Sequence, residues 1–388
     1  MLLLPRMTEV RNRSPRDLRI GCAVFFFISG FGYSSWASRI PTVQQQLHLN
    51  EAQLGSLLFA LPIGLILTMP ITGRLLSHYT SRSIMIFGAL AFNLVLFFLG
   101  LATVAWQFAF ILFAFGSARN LLNLSVNAQS VGVQSLYNKS IITTFHGIWS
   151  LAGFAGAAVG YVMVRLNIGL LYHLGAISLL LCASSIYFYQ YTFYDKPKPV
   201  ERKPFLILPD KHMLKFAIIS FACMACENTM YDWSAIYFNK AVHASNSTST
   251  AAFVAYMVAM TGGRFAGDKM VARTGIKNLL NYSGWFIFSG LLLAVVLPYT
   301  ITAGLGFMLV GLGVSCVVPL VFSIAGKSAT LSNGAAIASI STVGYLGFLL
   351  VPPFVGYIAQ AVGIRWSFGI IALFGILIVW MVSKIKEE

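Results

Sequence analysis

The sequence predicts an all-α membrane protein, with twelve transmembrane helices in two six-helix repeats around a central cavity. Three observations predict it. Of 388 residues, 58% are hydrophobic and only 10% are charged, against roughly 25% charged in a soluble domain, and the mean hydropathy is +0.79. Many apolar runs reach about 20 residues, the length that crosses a bilayer. Lys and Arg, finally, gather in alternate loops between those runs.

Taken in order, the spans are expected at 19–38, 52–73, 83–103, 106–128, 141–164, 168–190, 213–238, 250–270, 278–298, 301–323, 334–358 and 364–384. Short Gly, Pro, Asn or charged turns separate them. The long polar linker, 191–212, falls between spans six and seven. The chain is therefore expected to divide into a basic tail (1–18), a first half (19–190), the linker (191–212) and a second half (213–388). No signal peptide is expected at the start, where the apolar block is short and no small-residue cleavage site follows; Met7 is an alternative start to Met1.

Of the 26 Lys and Arg, 21 fall in loops on the N-terminal side, with Arg264, Lys269 and Arg273 counted there. Four fall on the other side, Arg39, Arg165, Lys240 and Arg365, and Arg119 alone lies inside a span. Such a split puts both termini and the linker in the cytoplasm. The net charge of +15 is thus topogenic, with anionic lipid as a further contact, and no nucleic-acid partner is expected. The five cysteines lie in apolar runs and read as buried, inert thiols. No cofactor or metal is expected, and no hydrophilic stretch is large enough for a catalytic domain, so the chain does not read as an enzyme.

The halves echo each other. "GRLLSH" (73–78) follows span two and "GRFAGDK" (263–269) follows span eight; "YSSWAS" (33–38) ends span one and "MYDWSA" (230–235) ends span seven. Repeats of this kind belong to carriers that rock one half against the other around a midplane site.

The blocks "WASRIP" (36–41), "NLSVNAQ" (123–129), "FHGIWS" (145–150), "ENTMYDWSAIY" (227–237), "GRFAGDKMVARTG" (263–275), "VVPLVFS" (317–323) and "GYLGFLLVPPFVGYIA" (344–359) come in an order, and on a topology, that resembles the major facilitator superfamily. The similarity covers nearly all of 19–384, and the chain looks like the branch that includes fucose permease and its bacterial relatives. The resemblance implies a monomeric, multi-pass carrier of the bacterial inner membrane. It implies a cavity lined by spans one, four, seven and ten, and in many members proton-coupled movement of sugars or other small polar metabolites. Two departures stand out. Asn123 holds a position that is often a carboxylate in this branch, and Ser77 stands where the loop after span two normally carries an acid. Asp268, with Arg264, Lys269 and Arg273, looks like the surviving cytoplasmic latch; plain topogenic charge is the other reading.

Glu227 and Asp232 sit in the apolar run from Phe216 to Phe238. A charge at a helix centre costs about 2.5–3.5 kcal/mol on the insertion scale, and each Leu, Ile, Phe or Val returns only about 0.3–0.6. Intramembrane acids normally face water or a partner and mark a transport path. Five residues put the two acids about 140° apart, so they are expected to differ in role. Glu227 is the central proton or substrate carboxylate, and Asp232 an outer residue pairing with Arg39. A structural pair between helices is the bland alternative.

On span four, Arg119, Asn123 and Asn127 recur every four residues and form one stripe. Arg119 is expected near the midplane with Glu227 as its partner. Either protonation breaks that pair, or Arg119 binds an anionic solute with its fork of donors; a static bridge is the third possibility. His146 is read as a proton relay or as a histidine bonded between helices. Tyr33, Trp36, Tyr231, Trp233 and Tyr345 are read as stacking on a sugar-like ring or as interfacial anchors. Gly153, Gly156 and Gly160 permit close packing, and Pro352–Pro353 should kink span eleven for gating.

These readings lead to a proton-coupled carrier of a small polar solute, sugar-like or a sugar acid, with inward symport preferred. Efflux of a metabolite or drug by antiport is the second reading. A non-transporting sensor or scaffold is the third, and it would have no need of Arg119, Glu227 and Asp232 in the membrane.

Overall fold

The structure is a computed structural model describing residues 13–138, 141–195, 209–211, 213–325 and 333–385. The basic tail through residue 12, linker residues 196–208, Lys139, Lys327 and Lys386 lie outside the described residues. So do several of the Lys and Arg on which the charge asymmetry rests.

The described chain is helical: α1 (Pro15–Ala37), α2 (Ile40–Gln46), α3 (Glu51–Leu58), α4 (Ala60–His78), α5 (Ser81–Leu99), α6 (Ala105–Gln134), α7 (Ile142–Arg165), α8 (Leu170–Phe188), α9 (Leu214–Lys240), α10 (Asn246–Thr274), α11 (Ile276–Val296), α12 (Thr300–Val314), α13 (Val317–Ala325), α14 (Asn333–Val362) and α15 (Ile364–Ser383). Polar residues fix several starts. The Ser14 hydroxyl accepts from the Asp17 amide and Pro15 opens α1, while Asn50 and Gln53 form a reciprocal capping box on α3.

Ten helical segments are long and apolar enough to cross a membrane among the described residues. By length α9 and α10 would join them, at 27 and 29 residues, where about 20 suffice. What sets these two apart is polarity: α9 carries Glu227, Asn228 and Asp232, and α10 carries Arg264 and Asp268. The helices least suited to lipid are those with the candidate machinery.

The chain divides into two compact units. The first holds residues 1–39 and 60–203, the second 40–59 and 204–388. In the first, α1 lies along α7, α6 packs on α4 and α5, and α5 packs on α8. Small residues allow this closeness, since a Cβ on Gly116 would meet the Leu61 carbonyl oxygen at 2.0 Å. In the second, α9 packs on α14 and α15, α10 on α12, and α11 on α12 and α15.

Segment 40–59 groups with the second unit although it lies in the first half of the sequence. Pro62 has no N–H for the Leu58 carbonyl, so span two divides at Phe59 into α3 and α4. Glu51 then pairs with Lys240 at 3.2 Å, Gln45 and Asn246 exchange hydrogen bonds at 3.0 and 3.1 Å, and Gly55 closes on Gly356.

Candidate functional site

The polar centre of the second unit begins with Glu227, near the middle of α9. Its Oε1 is 3.5 Å from Nη2 of Arg264, and each side chain keeps only 19% of its exposure. Arg264, expected with the loop charges, instead lies about 27 Å along α10 from Asn246 at 1.5 Å per residue. Its Nε donates to the Ser315 carbonyl at 3.3 Å. That carbonyl is available for a reason visible in the sequence. Pro319 stands four residues on and offers no N–H, and the helix is interrupted at Ser315–Cys316, between α12 and α13.

The block "GRFAG" builds this contact. Gly263 and Gly267 lie one turn apart on α10; a Cβ on them would meet Ser315 Oγ at 2.4 Å and Cys316 Sγ at 2.7 Å. Without side chains there, α10 closes on the interruption and brings Arg264 to it. Cys316 Sγ in turn donates to the Gly263 carbonyl at 3.4 Å, and Cys223 Sγ to that of Val314 at 3.8 Å.

A second acid follows the same pattern. Asn228 Nδ2 donates to Asp232 Oδ2 at 3.0 Å and to the Phe348 carbonyl at 3.4 Å. Phe348 lies four residues before Pro352, so its carbonyl too is released by a proline. Helix α14 nonetheless continues through Pro352 and Pro353. Each acid of α9 therefore reaches a proline-freed carbonyl on a neighbouring helix through one donor side chain.

Around this centre, Tyr231 meets Phe253 and Tyr256 edge-on, with centroids 5.4 and 6.0 Å apart. Tyr256 is fully buried and its hydroxyl has no hydrogen-bond partner among the described residues. Tyr345 is half-buried on α14. Asp268 and Arg273 are exposed toward the end of α10, and among the described residues neither enters an ion pair, so the expected latch is not formed there.

In the first unit the span-four stripe is present on α6. The Arg119 guanidinium lies over the Tyr33 ring, 3.6 Å from its centroid. Asn123 Oδ1 accepts from Ser29 at 2.7 Å, and the exposed Asn127 donates to the Asn123 carbonyl at 2.7 Å. His146 is exposed and edge-on to Phe26 at 5.4 Å.

Three expectations need correction. Arg39, assigned to the outer gate with Asp232, is 3% exposed and donates from Nε to His173 Nδ1 at 3.0 Å and from Nη2 to the Ile168 carbonyl. It ties the end of α1 to the α7–α8 turn. Trp36 and Trp233, read as interfacial or ring-stacking, are 1% and 0% exposed; Trp36 packs on Phe108 with centroids 5.4 Å apart. Arg264 belongs with Glu227 and not with the loop charges. Asn228, Tyr256 and Pro319 were missed. The signals were Asn228 four residues before Asp232 on one helix face, and Pro319 four residues after a polar Ser.

Among the described residues, no group of three His, Cys, Asp or Glu is placed to hold a metal ion. The arrangement suits charge handling: an acid, a permanent cation and one interrupted helix.

A model of the Major Facilitator Superfamily matches residues 22–333. An uncharacterised MFS-type transporter of Yersinia pestis is 30% identical over 355 residues, covering 92% of each chain. The membrane protein MosC of Rhizobium meliloti is 28% identical, covering 96% of this chain and 91% of its own. Among solved structures, the nucleoside transporter NupG superposes with a TM-score of 0.74 at 14% identity, covering 95% of this chain and 100% of that one. A bacterial homologue of the human lysosomal transporter Spinster gives 0.71 at 12%, covering 94% and 95%. The family match spans most of the chain, the relatives align along nearly its whole length, and the all-helical fold agrees, so this chain belongs to the Major Facilitator Superfamily of secondary transporters.

Proposed function

We propose that this transporter carries a small polar solute, sugar-like or a sugar acid, across the bacterial inner membrane and couples the movement to protons at Glu227. In this reading it has twelve spans in two six-helix repeats, both termini are cytoplasmic, and α9 and α10 cross the membrane as the seventh and eighth spans. The affinity with the fucose-permease branch belongs to the same proposal and rests on the sequence blocks.

The observation that carries it is the half-buried ion pair of Glu227 with Arg264, within 3.5 Å. Charges at such positions in helices of this family are expensive in lipid and mark substrate or proton paths. A carboxyl balanced between water and a permanent cation changes its interactions when it takes a proton. Arg119, over Tyr33 on the other unit, supplies a donor fork suited to an acidic solute.

The test starts with a thermal-shift screen of sugars, sugar acids and other polar metabolites at two pH values. The solute found is then followed in vesicles under an imposed pH gradient. Glu227→Gln is expected to abolish gradient-driven accumulation and to leave solute exchange; unchanged accumulation removes the coupling role. The direction of movement in the same vesicles separates symport from efflux by antiport.

A further inference from the structure

Arg264 holds two partners at once, the Glu227 carboxylate and the Ser315 carbonyl freed by Pro319. Resting on the proton-coupling reading above, we propose that Arg264 is a positioning residue that ties the charge of Glu227 to the helix interruption between α12 and α13, so that proton uptake loosens that interruption. The ligand of this switch is the proton, and its output is the geometry of the tenth span.

The physical case has three parts. First, a guanidinium does not give up its proton, so neutralising Glu227 leaves Arg264 as a half-buried cation without its carboxylate's charge. Such a cation moves toward a new acid. Second, one is at hand: Asp268 follows Arg264 by four residues on α10, on the same helix face. It is exposed and enters no ion pair among the described residues. Third, when the guanidinium leaves, the Ser315 carbonyl loses its donor, and Pro319 prevents the helix from supplying another.

Other titratable groups near Glu227 are consistent with this assignment. On its own helix the near ones are Cys223, Cys226, Tyr231 and Asp232. From α10 come Tyr256, Arg264 and Asp268, and from the interruption Cys316. Of the other helices packed on α9, α14 carries Tyr345 and Tyr357, the latter bonded to Ser56, and α15 carries Arg365, whose Nε and Nη2 donate to the Val295 and Val296 carbonyls and not to Glu227. Helices α2, α12 and α13 bring none. Arg264 pairs with Glu227 within 3.5 Å.

The interruption carries its own reporter, Cys316, which is 8% exposed. In full-length protein at one fixed pH, alkylation of each cysteine by N-ethylmaleimide is timed by mass spectrometry, with half-buried Cys182 as internal reference. Glu227→Gln should raise the Cys316 rate relative to Cys182 by about tenfold, the equivalent of losing one charge-assisted hydrogen bond. In wild-type protein the same ratio should rise as pH falls. Pro319→Ala restores the N–H that Ser315 lacks, so adding Glu227→Gln to it should leave the ratio nearly unchanged. Equal Cys316 rates in wild type and Glu227→Gln overturn the proposal. So does an undiminished response in the Pro319→Ala background. If Glu227→Gln still accumulates solute under a pH gradient, it is the coupling reading that fails, and the two failures are therefore distinct.

Discussion

Arg39 shows how a charged residue in a membrane protein is misassigned from sequence. Its position at the end of an apolar run suggested a gate. In the structure its donors go to His173 Nδ1 and the Ile168 carbonyl, and it is buried. Since Nδ1 accepts, the His173 proton sits on Nε2, which has no partner among the described residues. Arg39→Ala leaves the buried His173 Nδ1 without its donor and should destabilise the protein by about 1–3 kcal/mol. The expected result is a lowered thermal midpoint in detergent with solute affinity retained. An unchanged midpoint with lost transport would return Arg39 to a gating role. Trp36 and Trp233 teach the same lesson. Tryptophan near a span end suggests the headgroup layer, yet both are enclosed, because neighbouring helices cover those faces and a single sequence does not show which face is covered.

At the scale of helices, existence and order were legible and polar pairing was not. Hydropathy and turn residues mark the helices, and ten segments among the described residues are long and apolar enough to span; the length of α9 and α10 was readable even though their polarity weakens the apolar signal. The prolines were visible too, but which carbonyl each one frees, and which side chain on another helix meets it, depends on packing. Asn228 is the clearest case. Its donors go to Asp232 and to the Phe348 carbonyl, which Pro352 leaves without an intrahelical donor. Asn228→Ala should destabilise the protein by about 1–3 kcal/mol. Pro352→Ala, by restoring the N–H for Phe348, should make the second substitution less harmful. In a double-mutant cycle on thermal midpoints the two effects should therefore couple by at least about 0.5 kcal/mol; strict additivity would mean that Asn228 acts through Asp232 alone. The same carbonyl logic at Ser315 explains why "GRFAGDK", first read as a loop signature, builds a contact between helices: Gly263 and Gly267 remove the side chains that would keep α10 from the interruption.

For the whole molecule, the strongest sequence signal is the distribution of Lys and Arg, 21 against 4 with one inside a span. If Arg264, paired with Glu227, is taken out of the larger group, one charge is removed and the asymmetry stays intact, because the rule depends on short flanking loops and not on total charge. The grouping of 40–59 with the second unit does not disturb it either, since the connectivity of α3 and α4 is unchanged. The orientation it predicts is open to direct measurement. Thr103 lies in the turn between α5 and α6; in the proposed topology it follows three crossings and is expected outside, whereas the linker follows six and is expected inside. In a background whose native cysteines remain unlabelled, Thr103→Cys should react with a membrane-impermeant maleimide in intact cells, and Val200→Cys only after permeabilisation. The reverse pattern would invert the topology and put the Glu227–Arg264 pair at the other end of the proton's path. Labelling of both in intact cells would mean that an even number of crossings, and not three, separates residues 103 and 200, so that α9 would begin from the outside.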